Sequence, residues 1–204
     1  MRRRLVISCA AALLLTLVVS MAWYWPLLVS LSKPTALSLL PAPVRAQVMH
    51  TNQATKQEGF YYPRLGIVAP AQVLQGVSPY KYEDWGQLTQ ALRQGLGVTY
   101  EGSSLDTATR IYITGHSSDS YPHRYSSIFA GLGQVLIDDT FTLTQKGSTT
   151  EYKVITKKAV DPTQVHAYVQ ANPSKAGIQQ AILVTCWVPL TTTQRLVVIA
   201  EKLQ

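Results

Sequence analysis

The sequence predicts an all-β domain, a barrel or sandwich with short helices, held behind one N-terminal transmembrane helix. Three observations carry this expectation. Residues 5–25 (LVISCAAALLLTLVVSMAWYW) contain no charged side chain. From Phe60 onward, short runs of β-branched and aromatic residues recur between turn signals. Helical spacing is confined to brief stretches such as EDWGQLTQALRQG. Many short strands with few short helices belong to barrels and sandwiches rather than to alternating α/β folds.

The elements follow in order. Residues 1–4 form a basic cap, with Arg2, Arg3 and Arg4 ahead of the apolar run. At 1.5 Å per residue, a helix over that run matches a bilayer core of about 30 Å. Trp23, Tyr24 and Trp25 close it as interface aromatics, and PLLVSL extends it, so the anchor is placed at residues 5–31. The preceding arginines predict a cytoplasmic N-terminus and an extracytoplasmic domain, hence a single-pass protein of the cell membrane. A cleaved signal peptide is the rival, with sites at Ser20-Met21-Ala22 or Val44-Arg45-Ala46; the length of the run favours a retained anchor. Residues 32–59 read as a linker with Pro34, Pro41 and Pro43. Residues 60–204 form the folded domain.

Within that domain, YPRLGIVAPAQVL reads as a strand interrupted by a bend. In EDWGQLTQALRQG, Trp85, Leu88 and Leu92 share a helix face, with Gly95 as the C-cap. RIYITG is a strand and GHSSDSYPHRY a loop. SSIFAGLGQVL is a short helix, and DTFTLTQKGSTTEYKVITKKAV holds two strands around Lys146-Gly147-Ser148. DPTQVHAYV opens as a capped helical turn, with Asp161 ahead of Pro162. AILVTC and RLVVIAEK are the last two strands.

Composition narrows the function classes. The net charge is +7, yet three of those charges sit in the N-terminal cap. No Lys/Arg run is interleaved with aromatics, which argues against nucleic-acid binding. The chain has two cysteines, Cys9 and Cys186. With Cys9 in the membrane segment, Cys186 is the one thiol of the exported domain. An odd exported cysteine points to intermolecular pairing or a reactive thiol, against the bland reading of a buried, inert residue.

Cys186 stands at the exit of an apolar strand, and Arg195 opens the strand that returns. Antiparallel pairing of the two, about 4.8 Å apart, brings both side chains to the same end of the sheet. A cation beside a thiol favours the nucleophilic thiolate, and a guanidinium also stabilises an oxyanion. A cysteine nucleophile needs a base. Of four histidines, His50 falls in the linker and His166 on the domain flank. His123 lies in a loop. His116 directly follows the strand IYITG, where Gly115 lets the backbone turn, and it ranks first, with His123 second.

These segments together resemble the sortases, cysteine transpeptidases of Gram-positive-type cell envelopes. Ile182 to Cys186 (ILVTC) is similar to the family's TLxTC, with Ile182 in place of Thr, and RLVV resembles the following strand with its arginine. ITGHSS resembles the segment with the catalytic histidine, and RLGIVAP the first strand. IFAGLGQVLIDDTFTLT resembles the short helix, turn and strand, with Asp138-Asp139 where Gly-Asp is usual. SSLDTATR departs from the Gly-Asn pair that many sortases carry before the histidine strand. The resemblance spans residues 60–204 and implies a closed barrel of about eight strands. It assigns His116, Cys186 and Arg195 as catalytic and Thr185 to the substrate site. It further implies protein substrates with an LPxTG-like sorting signal, and an amine acceptor such as a peptidoglycan precursor or a pilin.

Two other readings stand beside it. One is another cysteine peptidase or an L,D-transpeptidase; the latter expects a Ser-His-Gly-Cys run that the chain lacks. The second is a non-catalytic envelope-binding domain. Some sortases bind calcium, but Glu101, Asp106, Asp119, Asp138 and Asp139 do not have the spacing of a compact calcium loop. The expectation is therefore no metal and no cofactor.

Overall fold

The computed structural model describes residues 15–22, 24–25, 27–29, 31, 58–78, 85–121 and 123–204. Residues 32–57 of the expected linker and much of the expected anchor lie outside these, and the linker's last residue, Gly59, already belongs to the first strand of the domain. The described residues between 15 and 31 are helical, and Leu15, Val18, Met21 and Trp25 among them are exposed. Among the described residues, no helix is long and apolar enough to cross a membrane.

The domain is all-β. Its strands are β1 (Gly59–Tyr62), β2 (Ile67–Ala69), β3 (Ala71–Val73), β4 (Leu96–Glu101), β5 (Arg110–Thr114), β6 (Thr140–Gln145), β7 (Ser148–Val160), β8 (Gln180–Trp187) and β9 (Gln194–Lys202). Its described residues also form helices α1 (Trp85–Gln94) and α2 (Val165–Gln170) and two 3₁₀ turns, Ala130–Gln134 and Pro162–Gln164. The strands join in one sheet of order β2-β1-β6-β7-β9-β8-β5-β4-β3. The pairs β3–β4 and β5–β8 are parallel and the rest antiparallel.

Nine strands replace the eight expected, and Pro70 is the reason. β2 and β3 lie at opposite ends of the sheet order, yet only Pro70 separates them in the chain. Proline has no N–H to donate to a ladder, so the strand breaks there and changes partners. This is the bend read from YPRLGIVAPAQVL, and it nearly closes the barrel. Two glycines make the corner possible. A Cβ on Gly59 would lie 2.5 Å from the Ala69 carbonyl oxygen, and one on Gly95 would lie 2.2 Å from that of Pro70. Gly95 has φ +155°, so it does not form the left-handed cap expected of it; its part is to let β4 approach Pro70.

Other local expectations hold. Lys146 and Gly147, with φ 50° and 74°, make the two-residue turn between β6 and β7. Both positive values belong to the type I′ turn that matches strand twist. Asp161 caps the turn before α2 by accepting from the Thr163 amide at 2.8 Å. Asp138, where the family resemblance expects glycine, has φ 69°, a region Asp tolerates better than most residues.

The faces of β5, β8 and β9 determine where a site can form. Ile111, Ile113, Ala181, Leu183, Leu196, Val198 and Ala200 point into the barrel and join its main core. The alternate residues Tyr112, Ile182, Val197 and Ile199 point outward and pack with Val165 and Val169 of α2. Ile182, the irregularity in the ILVTC segment, is fully buried in this second cluster, where a methylene-rich side chain is better accommodated than a hydroxyl.

Candidate active site

The outward faces continue past the second cluster into a groove. Along β8 the outward residues run Ile182, Val184, Cys186; along β9 they run Ile199, Val197, Arg195. Cys186 is the direct register partner of Arg195. On the other side of β8, Thr114 of β5 is paired in parallel with Val184, and the Gly115 amide donates to the Val184 carbonyl at 3.2 Å. Two residues further along each chain come His116 and Cys186. His116 thus lies two residues past the end of β5, beside the paired Cys186 and Arg195 of β8 and β9. All three line a groove of about 370 Å³ between α1, α2 and the strand ends. Leu88 and Leu92 of α1 and Val165 of α2 supply apolar walls.

His166 also lines this groove, which corrects its placement on the domain flank. Val165, its neighbour in the first turn of α2, packs on the outward face of the sheet. Cys186 is partly exposed and is the one free cysteine among the described residues. Arg195 turns its Nη1 back to its own loop, donating to the Thr192 and Gln194 carbonyls at 3.0 and 3.1 Å. The loop therefore anchors the guanidinium at the groove's edge.

The loop after His116 holds a polar cluster. Asp119 Oδ2 lies 3.6 Å from His116 Nε2 and 3.2 Å from His123 Nε2. The two rings meet edge to face at 5.7 Å. Burial lowers the His116 pKa; Asp119 raises it, while His123 and Arg93 of α1 lower it further. The stability consequence has a definite sign. The unfolded chain titrates near the ordinary value of about 6.5, and the folded chain below it, so acid protonates the unfolded state first. Stability is expected to fall as pH drops from 6.5 toward the lower folded value. Thermal melts at pH 7.5 and 5.0 should show a smaller difference for His116→Asn than for wild type.

Comparison with known proteins decides the family. The Sortase domain model matches residues 62–203, well over half of the chain. The chain belongs to the sortase family. Sortases are cysteine transpeptidases. Solved structures agree on the fold. Sortase C1 of Streptococcus suis has TM-score 0.54 and 24% identity, over 78% of this chain and 80% of that one. Sortase C-1 of Actinomyces oris has TM-score 0.53 and 19% identity, over 81% and 85%. A lid mutant of Corynebacterium diphtheriae sortase A has TM-score 0.52 and 20% identity, over 80% and 96%. No curated protein sequence matches the chain.

Within this sortase domain Thr185 has a definite local task. Its side chain is buried, and its hydroxyl donates to the Gly115 carbonyl at 2.8 Å. It thereby ties the strand that carries Cys186 to the segment that carries His116, and it contributes to the groove's wall. Ser118 ties the loop after His116 to the loop between β8 and β9, its Oγ accepting the Leu190 amide at 2.7 Å. Gly115 is required for space rather than for a turn. A Cβ there would lie 2.6 Å from both Leu96 and Phe129, two fully buried side chains. Gly115→Ala is expected to cost about 1–3 kcal/mol by overpacking. Because the displaced backbone carries His116, transpeptidation should fall more than stability alone explains; melts and peptide assays on one preparation separate the two.

His116, Asp119 and His123 also place one ligand atom each within 4.8 Å of one another, the proximity a metal ion needs. The tautomer of His123 is unsuited to it. The Tyr125 amide donates to His123 Nδ1 at 3.3 Å, so the proton resides on Nε2. That nitrogen then donates to Asp119 and offers no lone pair to a cation.

Proposed function

We propose that the protein is a membrane-anchored sortase whose nucleophile is Cys186, acting on protein substrates with an LPxTG-like sorting signal. The observation that carries this reading is that His116, just past the end of β5, lines a single groove with Cys186 and Arg195, which are paired on β8 and β9. Cys186 Sγ attacks the carbonyl after the threonine of the signal. The Arg195 guanidinium stabilises the charge that develops on the carbonyl oxygen. His116 delivers a proton to the departing amine as the C–N bond breaks, leaving a thioester on Cys186. An acceptor amine then attacks the thioester, loses its proton to the imidazole and expels the thiolate. One amide is exchanged for another, so no external energy source enters.

The uncharged run at residues 5–25 behind three arginines supports a single-pass anchor with the catalytic domain outside the cytoplasm. The acceptor is an envelope amine, either a peptidoglycan precursor or a pilin; the structural neighbours include a pilus-related sortase C of Group B Streptococcus. Mass spectrometry of wild-type enzyme with a library of sorting-signal peptides and varied amines tests the reading. The expected result is a thioacyl mass on the tryptic peptide containing Cys186 and products joined at the threonine. Failure to acylate Cys186 with any member of the library would sink it.

A further inference from the structure

We propose that Asp119, braced by His123, is the positioning carboxylate that aligns His116 for proton transfer. The proposal rests on the assignment of His116 as the proton donor.

Three hydrogen bonds determine the orientation of Asp119. The Tyr125 amide donates to His123 Nδ1 at 3.3 Å, and His123 Nε2–H then donates to Asp119 Oδ2 at 3.2 Å. The Tyr121 amide donates to Asp119 Oδ1 at 3.3 Å. Burial raises the Asp119 pKa, but the Tyr121 amide and the two imidazoles outweigh it and hold the group below the ordinary carboxylate value. Asp119 is thus a fixed negative charge whose Oδ2 has room for a second donor, since a carboxylate oxygen carries two lone pairs.

His116 Nε2 is that second donor. It is buried and has no hydrogen-bond partner within the protein, yet it lies only 3.6 Å from Oδ2. That separation is too long for a hydrogen bond, and it shortens once the imidazole is charged, as catalytic contacts commonly do when the reacting complex forms. With Nε2 committed to Asp119, Nδ1 is the nitrogen left for the groove that Cys186 lines. A carboxylate that binds one nitrogen fixes which of the two moves the proton and stabilises the imidazolium that forms. Arg93 on α1, Cys186 on β8, Arg195 on β9 and His166 on α2 also surround the groove around His116. Arg93, Arg195 and His166 are retained in every variant below, and Cys186 is the same within each compared pair, so differences report the carboxylate.

The test uses the full chain in detergent. The His116 titration is read by NMR of selectively labelled histidine in a Cys186→Ala background, which needs no turnover. Asp119→Asn is expected to lower the His116 pKa, because the carboxylate is the one neighbour that raises it. In the chain with Cys186, Asp119→Asn is expected to lower kcat about 10- to 100-fold with KM changed less than twofold, and to move to lower pH the limb on which rate falls as pH rises. His123→Phe should imitate it, and His123→Gln, which retains an N–H for Asp119, should recover most of the loss. An unchanged His116 titration in Asp119→Asn overturns the proposal, whether or not a substrate has been found. So does a loss confined to KM or to melting temperature. Absence of turnover in wild type counts against the proposed function and leaves the titration result to stand or fall by itself.

Discussion

Cys186→Ala is expected to abolish the thioacyl adduct and to reduce peptide exchange by about 10⁵-fold or more, the scale seen when a hydrolase loses its nucleophile. The fold should survive. Cys186 is partly exposed at the end of β8, and alanine retains its Cβ and its register opposite Arg195. The melting temperature should therefore move by only a few degrees. Cys186→Ser is the sharper companion. A serine hydroxyl deprotonates far less readily than a thiol, and a neighbouring guanidinium does not close that gap. It too should be inactive, although substrate peptide still binds in the groove. An adduct retained by either variant would show that another nucleophile carries the chemistry. An equal loss of folding and activity would show that Cys186 is a packing residue, as the bland reading of a small apolar cysteine holds.

The sequence resolves this site unevenly, and the reasons are physical. The pairing of Cys186 with Arg195 is local: two apolar strands with a Thr-rich connection between them form a hairpin, and β8–β9 is one. The strands around Lys146-Gly147 are legible for the same reason. His116 is different. It reaches Cys186 through the parallel pairing of β5 with β8, across a span of chain that includes β6, β7 and α2. No local pattern encodes such a pairing, so the ranking of His116 over His123 stood on its place at a strand exit and on the family resemblance. The capping signal of Asp161 ahead of Pro162 identifies the helical turn that leads into α2, but not the surface it covers.

Glycines and acids are poorly legible for a related reason. In the sequence Gly115 and Gly95 read as conformational residues, because a turn is what a local pattern encodes. Their constraint comes instead from Phe129, Leu96 and Pro70, residues distant in sequence that crowd the missing Cβ. Asp119 reads in the sequence only as one of five acids without the spacing of a calcium loop. A signal for it existed, since one carboxylate lies between two histidines within a single short loop. Only the folded loop shows both imidazoles turned to the same oxygen.

His116→Ala is expected to lower kcat about 10³-fold, within the usual range for loss of a general acid, with little change in KM. The loss should depend on the leaving group. An amide nitrogen cannot depart without a proton, whereas a thiol leaving group of pKa near 8.5 can. A thioester analogue of the sorting signal should therefore be acylated by His116→Ala with a much smaller defect than the amide peptide. Burial sharpens the expectation. The lowered pKa of His116 makes its protonated form scarce at neutral pH but a stronger acid when present. The amide reaction of wild type should thus lose rate as pH rises above that value, and the thioester reaction should not show this limb. His123→Ala provides the control. Its ring reaches His116 only through Asp119 and an edge contact, so its defect should be smaller than that of His116→Ala. If His123→Ala is the more damaged enzyme, and the one that the thioester rescues, the proton comes from His123 and the groove has been assigned the wrong acid.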